Sequence, residues 1–248
     1  MLSAENVFVQ WGQSPVLQGV NLEIKPGEIV GLIGQNGCGK TTFLNTLSGY
    51  TKPTAGSVLF AGEDVTNFAP EKRAQLGMAR SFQTPGVFRE MSVRENLLMA
   101  LERVHAYPWW WEFSKKWRHK AEAEVRRLLS SVNLQDHMHS YAGVLSGGQL
   151  RLLELLRLEI CGGKLFLIDE PTAGVAPAMK KVLMQSLKTL AAGEGRSLLI
   201  VEHDLKFLFE LVDRVVVFVE GKVYMEGKPE DVVKDPRLQE VYFGTREA

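Results

Sequence analysis

The stretch "IVGLIGQNGCGKTT", residues 29–42, constrains the fold more than any other part of the chain. Gly34, Gly39, Lys40 and Thr41 fit the spacing GxxxxGK[ST], and the apolar run before them has the character of a buried strand. "TTFLNTLSG" follows with helical spacing and Gly49 as its stop. A strand, a glycine loop and a helix in that order predict a phosphate-binding turn. Glycines let backbone N–H groups approach phosphate oxygens, and the helix N-terminus adds a favourable field. The predicted grip comprises Gly34, Gln35, Asn36, Gly37, Cys38, Gly39, Lys40, Thr41 and Thr42. Lys40 reaches the β and γ phosphates, and the Thr41 hydroxyl suits magnesium.

A second apolar strand, "LFLIDE", ends in Asp169 and Glu170. Carboxylates at that edge of an open α/β sheet lie where such sheets bind ligands. Asp169 suits magnesium, and Glu170 is free to orient or deprotonate an attacking water. His203, in "IVEHD", follows another apolar strand and falls at the same edge, within reach of a γ-phosphate.

The remaining pattern supports the same architecture. Strands are expected over 2–9 and 20–30, joined through "WGQSPVLQG", with the turn "KPGE" closing the second. "GSVLFAGEDV" reads as a hairpin, residues 92–135 as a helix-rich lobe broken by "AYPWWW", and 147–160 as a helix. Strands and helices then alternate through "KLFLIDEP", 177–192, "SLLIVEHD" and "LKFLFELV", which predicts a mostly parallel sheet covered by helices. A hairpin around Gly221-Lys222 and a helix opened by Pro229 end the pattern.

Composition bounds the partners. Across 248 residues, 29 basic and 29 acidic side chains cancel, so no global field favours nucleic acid. No uninterrupted apolar run is long enough for secretion or a bilayer span, which predicts a cytoplasmic location. The two cysteines, Cys38 and Cys161, form neither a CxxC pair nor a zinc set and are expected to be reduced thiols.

"LSGGQLR", residues 145–151, looks like a second phosphate grip. If the glycine loop holds the triphosphate of its own chain, Ser146 and the N–H groups of Gly147 and Gly148 can cap a triphosphate held by another chain across a two-fold interface. Neither chain alone then has a complete site.

With these residues in place, the chain resembles the ATP-binding-cassette ATPases along essentially its whole length. That resemblance implies a P-loop NTPase of ABC type. Its parts are a mixed, mostly parallel sheet with helices on both faces, an N-terminal antiparallel β subdomain and an inserted helical subdomain. The expected boundaries are 1–84 and 146–248 for the catalytic core and 85–145 for the helical part. By resemblance, Trp11 stacks on adenine, and Gln83 of "RSFQTPGVF" links the magnesium and water site to the membrane subunits. Ser146, Gly147, Gly148 and Gln149 form the signature, Glu170 is the catalytic carboxylate and His203 the switch histidine. ATP and Mg2+ are the implied ligands.

"FREMSVRENLLMA", the insertion after it, "VEHDL" and "DPRLQEVYFG" resemble the subgroup that energises importers of branched-chain amino acids, or of urea and short amides. Lipopolysaccharide-export ATPases rank second, and soluble cassette ATPases acting as assembly factors are a rival class. The implied partners are integral-membrane permease subunits, a second cassette (identical or homologous) and, indirectly, an extracytoplasmic binding protein. The implied location is the cytoplasmic face of the inner membrane. One departure stands out: Ala176, in "PTAGVAP", replaces the aspartate common in the loop that couples the two sites. "YPWWWEFSKKWRH" holds four of the five tryptophans and is read as covering the lobe's own helices, with docking onto membrane subunits as the alternative.

Overall fold

The computed structural model describes residues 1–105, 115–236 and 238. Numbered along the chain, the elements begin with β1 (Leu2–Trp11), β2 (Ser14–Ile24), β3 (Ile29–Gly34), α1 (Lys40–Ser48), β4 (Ala55–Phe60), β5 (Glu63–Asp64), α2 (Pro70–Gln75) and β6 (Met78–Arg80). Next come α3 (Val93–His105), α4 (Lys115–Ser131), α5 (Gly147–Cys161), β7 (Leu165–Asp169), α6 (Pro177–Ala191) and β8 (Ser197–Val201). The last are α7 (Leu205–Phe209), β9 (Arg214–Val219), β10 (Lys222–Gly227) and α8 (Pro229–Val232).

Two compact units result. The first takes Met1–Arg80, Gly163–Pro171 and the chain from Ala191 onward, and the second takes Ser81–Gly162 and Thr172–Leu190. The first unit carries both sheets. One is antiparallel in the order β2-β1-β4-β5, and the other runs β10-β9-β3-β8-β7-β6, parallel except for the β9–β10 hairpin. Every residue of β7 and β8 is buried, as the near-continuous apolar runs "LFLID" and "SLLIV" require of strands covered on both faces. Phe43, Leu44 and Leu47 of α1 share one core with Val7, Val20 and Val58 of the antiparallel sheet and Val30, Leu199 and Phe218 of the parallel one. Helix α1, which follows the glycine loop, is therefore pinned from both sides.

The end of α1 is also fastened. Gly49 (φ +86°) closes it as expected, while the guanidinium of Arg73, 1% exposed, donates to the carbonyls of Thr46, Leu47, Thr66 and Phe68 at 2.6–3.1 Å. A cation on the free carbonyls of a helix C-terminus is a favourable pairing. Burial pushes the Arg73 pKa down to about 10.

Some boundaries differ from the sequence reading. The second strand starts at Ser14, well before residue 20, because Gly12 (φ +61°) makes a tight turn and the β1–β2 register shifts around Gly19 (φ +75°). What reads as a break in "LQGV" is an irregularity within one strand. The short β6 and α2 were not anticipated. In the second unit, α3, α4, α5 and most of α6 contribute Leu97, Leu128, Leu129, Leu153, Leu156 and Leu187 to its buried interior. The tryptophans at 109–111 and the segment 239–248 lie outside the described residues. Among the described residues, no helix is long and apolar enough to cross a membrane.

Candidate active site

The carboxyl ends of the neighbouring parallel strands β3, β8 and β7 carry the glycine loop, Glu202-His203 and Asp169-Glu170. In the loop, Gly37 (φ +80°) and Gly39 (φ +106°) adopt backbone conformations that side-chain-bearing residues rarely take. A Cβ on Gly39 would stand 3.0 Å from the Val16 carbonyl oxygen, so the loop lies directly against β2. Gln35, Asn36 and Gly37 are exposed, whereas Cys38, Gly39 and Lys40 are buried. Lys40 folds back onto the loop and donates through Nζ to the carbonyls of Gly34 (2.8 Å) and Gln35 (2.9 Å). Burial lowers its pKa, opposed by the nearby Cys38, Glu170 and Asp169. A phosphate arriving on the loop offers that ammonium charged acceptors in place of neutral carbonyls.

The β9–β10 turn braces this loop from below. Gly221 N–H donates to the Cys38 carbonyl at 2.9 Å, and Gln18 N–H donates to the Gly221 carbonyl at 2.9 Å. Gly221 has φ +75°, and a Cβ there would lie 2.2 Å from the Val16 carbonyl oxygen. Only glycine fits.

Asp169, at the buried end of β7, is 1% exposed. Arg80 of β6 reaches its Oδ2 from 3.7 Å through Nη2 while donating through Nη1 to Ser48 Oγ at 2.6 Å. Glu170 continues the strand pairing by one step, its N–H donating to the Val201 carbonyl, and then turns left-handed at φ +46°. Such a conformation in a non-glycine residue costs on the order of 1–3 kcal/mol and clusters at working sites. It carries the Glu170 carboxylate to His203, with Oε1 and Nε2 2.9 Å apart. Behind this pair the buried Glu202 accepts from the N–H groups of His203 (2.8 Å) and Asp204 (3.1 Å), while Asp204 caps α7 through the Phe207 N–H. The imidazole is thus set on a fixed backbone. Trp11 ends β1 and is 59% exposed, available for stacking.

The first unit therefore brings Lys40, Asp169, Glu170 and His203 together. Gln83, Ser146–Gln149 and Ala176 belong to the second unit. There, Ser146 caps α5 in a capping box with Gln149. A Cβ on Gly147 would stand 3.4 Å from the Gly174 carbonyl oxygen, and one on Gly148 3.4 Å from Val175 Cγ1. The side chain of Gln83 is exposed, but its backbone is held: Arg151 donates to the carbonyls of Phe82 (2.6 Å) and Gln83 (2.7 Å). Glu154, paired with Arg151 at 2.8 Å, accepts from Gly86 N–H at 2.9 Å, and Arg157 donates to the Gly86 carbonyl. Ala176 is exposed just before α6 and offers only its backbone, whose carbonyl accepts from Met179 N–H.

Arg80, Glu202, Gly221, Arg151 and Glu154 were not picked out by sequence reasoning. A signal existed for the last two, since a basic and an acidic residue three apart inside the apolar run "LRLLELL" must share a buried face.

The arrangement offers buried donors for a triphosphate, hard oxygen donors suited to magnesium, and a carboxylate–imidazole pair at the same edge. Comparison with known proteins agrees. The ABC transporter family pattern matches residues 17–173. The chain is 37% identical to the probable branched-chain amino acid transport ATP-binding protein LivG of Archaeoglobus fulgidus, covering 100% of this chain and 97% of that one. It is 32% identical to the high-affinity LivG of Escherichia coli K12, covering 98% of each, and 30% identical to the lipopolysaccharide export system ATP-binding protein LptB of Acidithiobacillus ferridurans, covering 98% and 97%. Among solved structures, the ADP conformation of MJ1267, an ATP-binding cassette of an ABC transporter, superposes with a TM-score of 0.82 at 34% identity over 98% of each chain. Glycine loop, acid pair and full-length similarity together place the chain in the ABC transporter family, as an ATP-binding, ATP-hydrolysing subunit.

Proposed function

We propose that this ATPase energises import of branched-chain amino acids through separate membrane subunits, by closing with a second cassette around two ATP molecules. The grouping of Lys40, Asp169, Glu170 and His203 at one sheet edge carries the hydrolytic part. The full-length similarity to LivG proteins supports the choice of cargo.

In this reading Trp11 stacks on adenine, the loop from Gly34 to Thr42 cradles the phosphates, and Lys40 exchanges its loop carbonyls for β and γ phosphate oxygens. Thr41, Asp169 and Gln83 would hold magnesium, whose charge screens the phosphates. Glu170 accepts a proton from the attacking water as its oxygen bonds to the γ phosphorus and the bond to the bridging oxygen breaks. His203 orients Glu170 and contacts the γ phosphate. Positioning and charge, with no covalent intermediate, supply the acceleration. Ser146, Gly147, Gly148 and Gln149 cap the nucleotide of the second chain, so binding energy becomes closure and hydrolysis reopens the pair. Ala176 provides no carboxylate between the two sites, so coupling there is either looser or carried by backbone groups.

Gentle solubilisation of native membranes and mass spectrometry of what accompanies the tagged chain test the reading. Two permease-like subunits with a second cassette, and amino-acid uptake lost on deletion, are expected. Recovery with lipopolysaccharide-export components would replace the cargo, and soluble partners alone would remove the transport role.

A further inference from the structure

Ser146 and Gln149 form a closed hydrogen-bonded box at the start of α5. Gln149 N–H points to Ser146 Oγ at 3.4 Å, while the N–H and hydroxyl of Ser146 lie 2.9 and 3.0 Å from Gln149 Oε1. A backbone N–H can only donate, so the oxygen of the amide, and not its nitrogen, must face Ser146. The amide nitrogen is thereby turned the other way, 3.2 Å from Nε2 of the half-buried His137. Because an amide NH2 only donates, His137 Nε2 must accept, and the proton of the neutral ring sits on Nδ1. His137 ends a short 3-10 turn, Gln135–His137, that belongs to no phosphate-binding motif.

We infer that His137 is a positioning residue for the signature motif: as an acceptor it fixes the Gln149 amide, and through it Ser146, in the geometry that meets the second chain's nucleotide. This rests on the proposed two-chain site. Capping a phosphate requires the Ser146 hydroxyl to leave Gln149 Oε1. With the amide held by His137, Oε1 stays on the Ser146 N–H while the hydroxyl proton turns to the phosphate and Oγ keeps the Gln149 N–H, so no backbone donor is orphaned. Without that acceptor the amide NH2 loses its anchor, and once the hydroxyl turns away the Ser146 N–H alone holds the amide, so the box loosens.

The test uses a Glu170→Gln background, in which the closed dimer accumulates, and compares His137→Leu, which cannot accept, with His137→Gln, which can. Sedimentation against ATP concentration gives the half-point of dimer formation. A fluorescent ATP analogue gives the affinity of the glycine loop in the monomer. His137→Leu is expected to raise the dimer half-point about fivefold, the equivalent of one helix cap, with His137→Gln within about twofold of the parent and monomer affinity unchanged in both. Long-range 1H–15N correlation of the imidazole should show an unprotonated Nε2. A half-point indifferent to His137→Leu, a His137→Gln variant as impaired as His137→Leu, or an Nε2–H tautomer would overturn this inference alone. No ATP-driven dimer in the parent would overturn the two-chain reading and this inference with it.

Discussion

Gly221 lies far along the chain from the glycine loop yet braces it through the Cys38 carbonyl, and Gly221→Ala measures that bracing. Alanine in the left-handed region costs about 1–2 kcal/mol. Its Cβ would also lie 2.2 Å from the Val16 carbonyl oxygen, so the turn has to move. Moving it breaks two backbone bonds, Gly221 N–H to Cys38 and Gln18 N–H to Gly221, at about 1 kcal/mol each. The expected loss is about 3–4 kcal/mol. Gly62→Ala is the control: Gly62 has φ +85° but nothing within 4 Å of an added Cβ, so only the backbone strain of about 1–2 kcal/mol should appear. Urea unfolding at unchanged m value reads the stabilities, and a fluorescent ATP analogue reads the loop. Nucleotide affinity should fall in Gly221→Ala and hold in Gly62→Ala. Equal stability losses, with full affinity in both, would refute the brace.

Glu170→Gln should retain ATP binding and lose turnover by about a thousandfold, as expected for removal of a general base; wild-type turnover in a single-turnover assay would mean that Glu170 is misassigned. Lys40→Ala removes charged donors to phosphate and should weaken ATP binding by about ten- to a hundredfold, read by equilibrium titration. Arg151→Met leaves the buried Glu154 without its cation and should cost about 3–5 kcal/mol in denaturant unfolding. The double variant Arg151→Met, Glu154→Met should lose less than the sum of the two single changes, and strict additivity would contradict the buried pair.

What the sequence made legible was local. The glycine loop, the acid pair and the signature each occupy one short window, and a strand followed by a loop fixes where such a window sits in an α/β sheet. Gly49 and Pro229 likewise punctuate helices by properties of their own. What was illegible depended on distant partners. Gly221 reads as an ordinary hairpin glycine until Val16 is brought against it, and Glu202 as a charge beside a histidine until its carboxylate folds onto two N–H groups. Arg80 and Arg73 look like surface cations, yet the side chains of both are tucked in because carbonyls, a hydroxyl and Asp169 receive them. Local propensity treats Gly19 as a break and sets the expected start of the second strand at residue 20, whereas pairing with β1 absorbs that glycine into β2.

If two chains hold each nucleotide, two variants disabled at different places should complement one another when mixed. Lys40→Ala silences the glycine loop and Ser146→Arg blocks the signature. In a mixed pair, the intact loop of the Ser146→Arg chain faces the intact signature of the Lys40→Ala chain. Two preparations, each inactive alone, should regain ATPase activity when combined, toward about a quarter of the wild-type rate for random pairing with one working site per mixed dimer. Continued silence of the mixture, with both variants folded and pairing as the wild type does, would rule out a nucleotide shared between two chains.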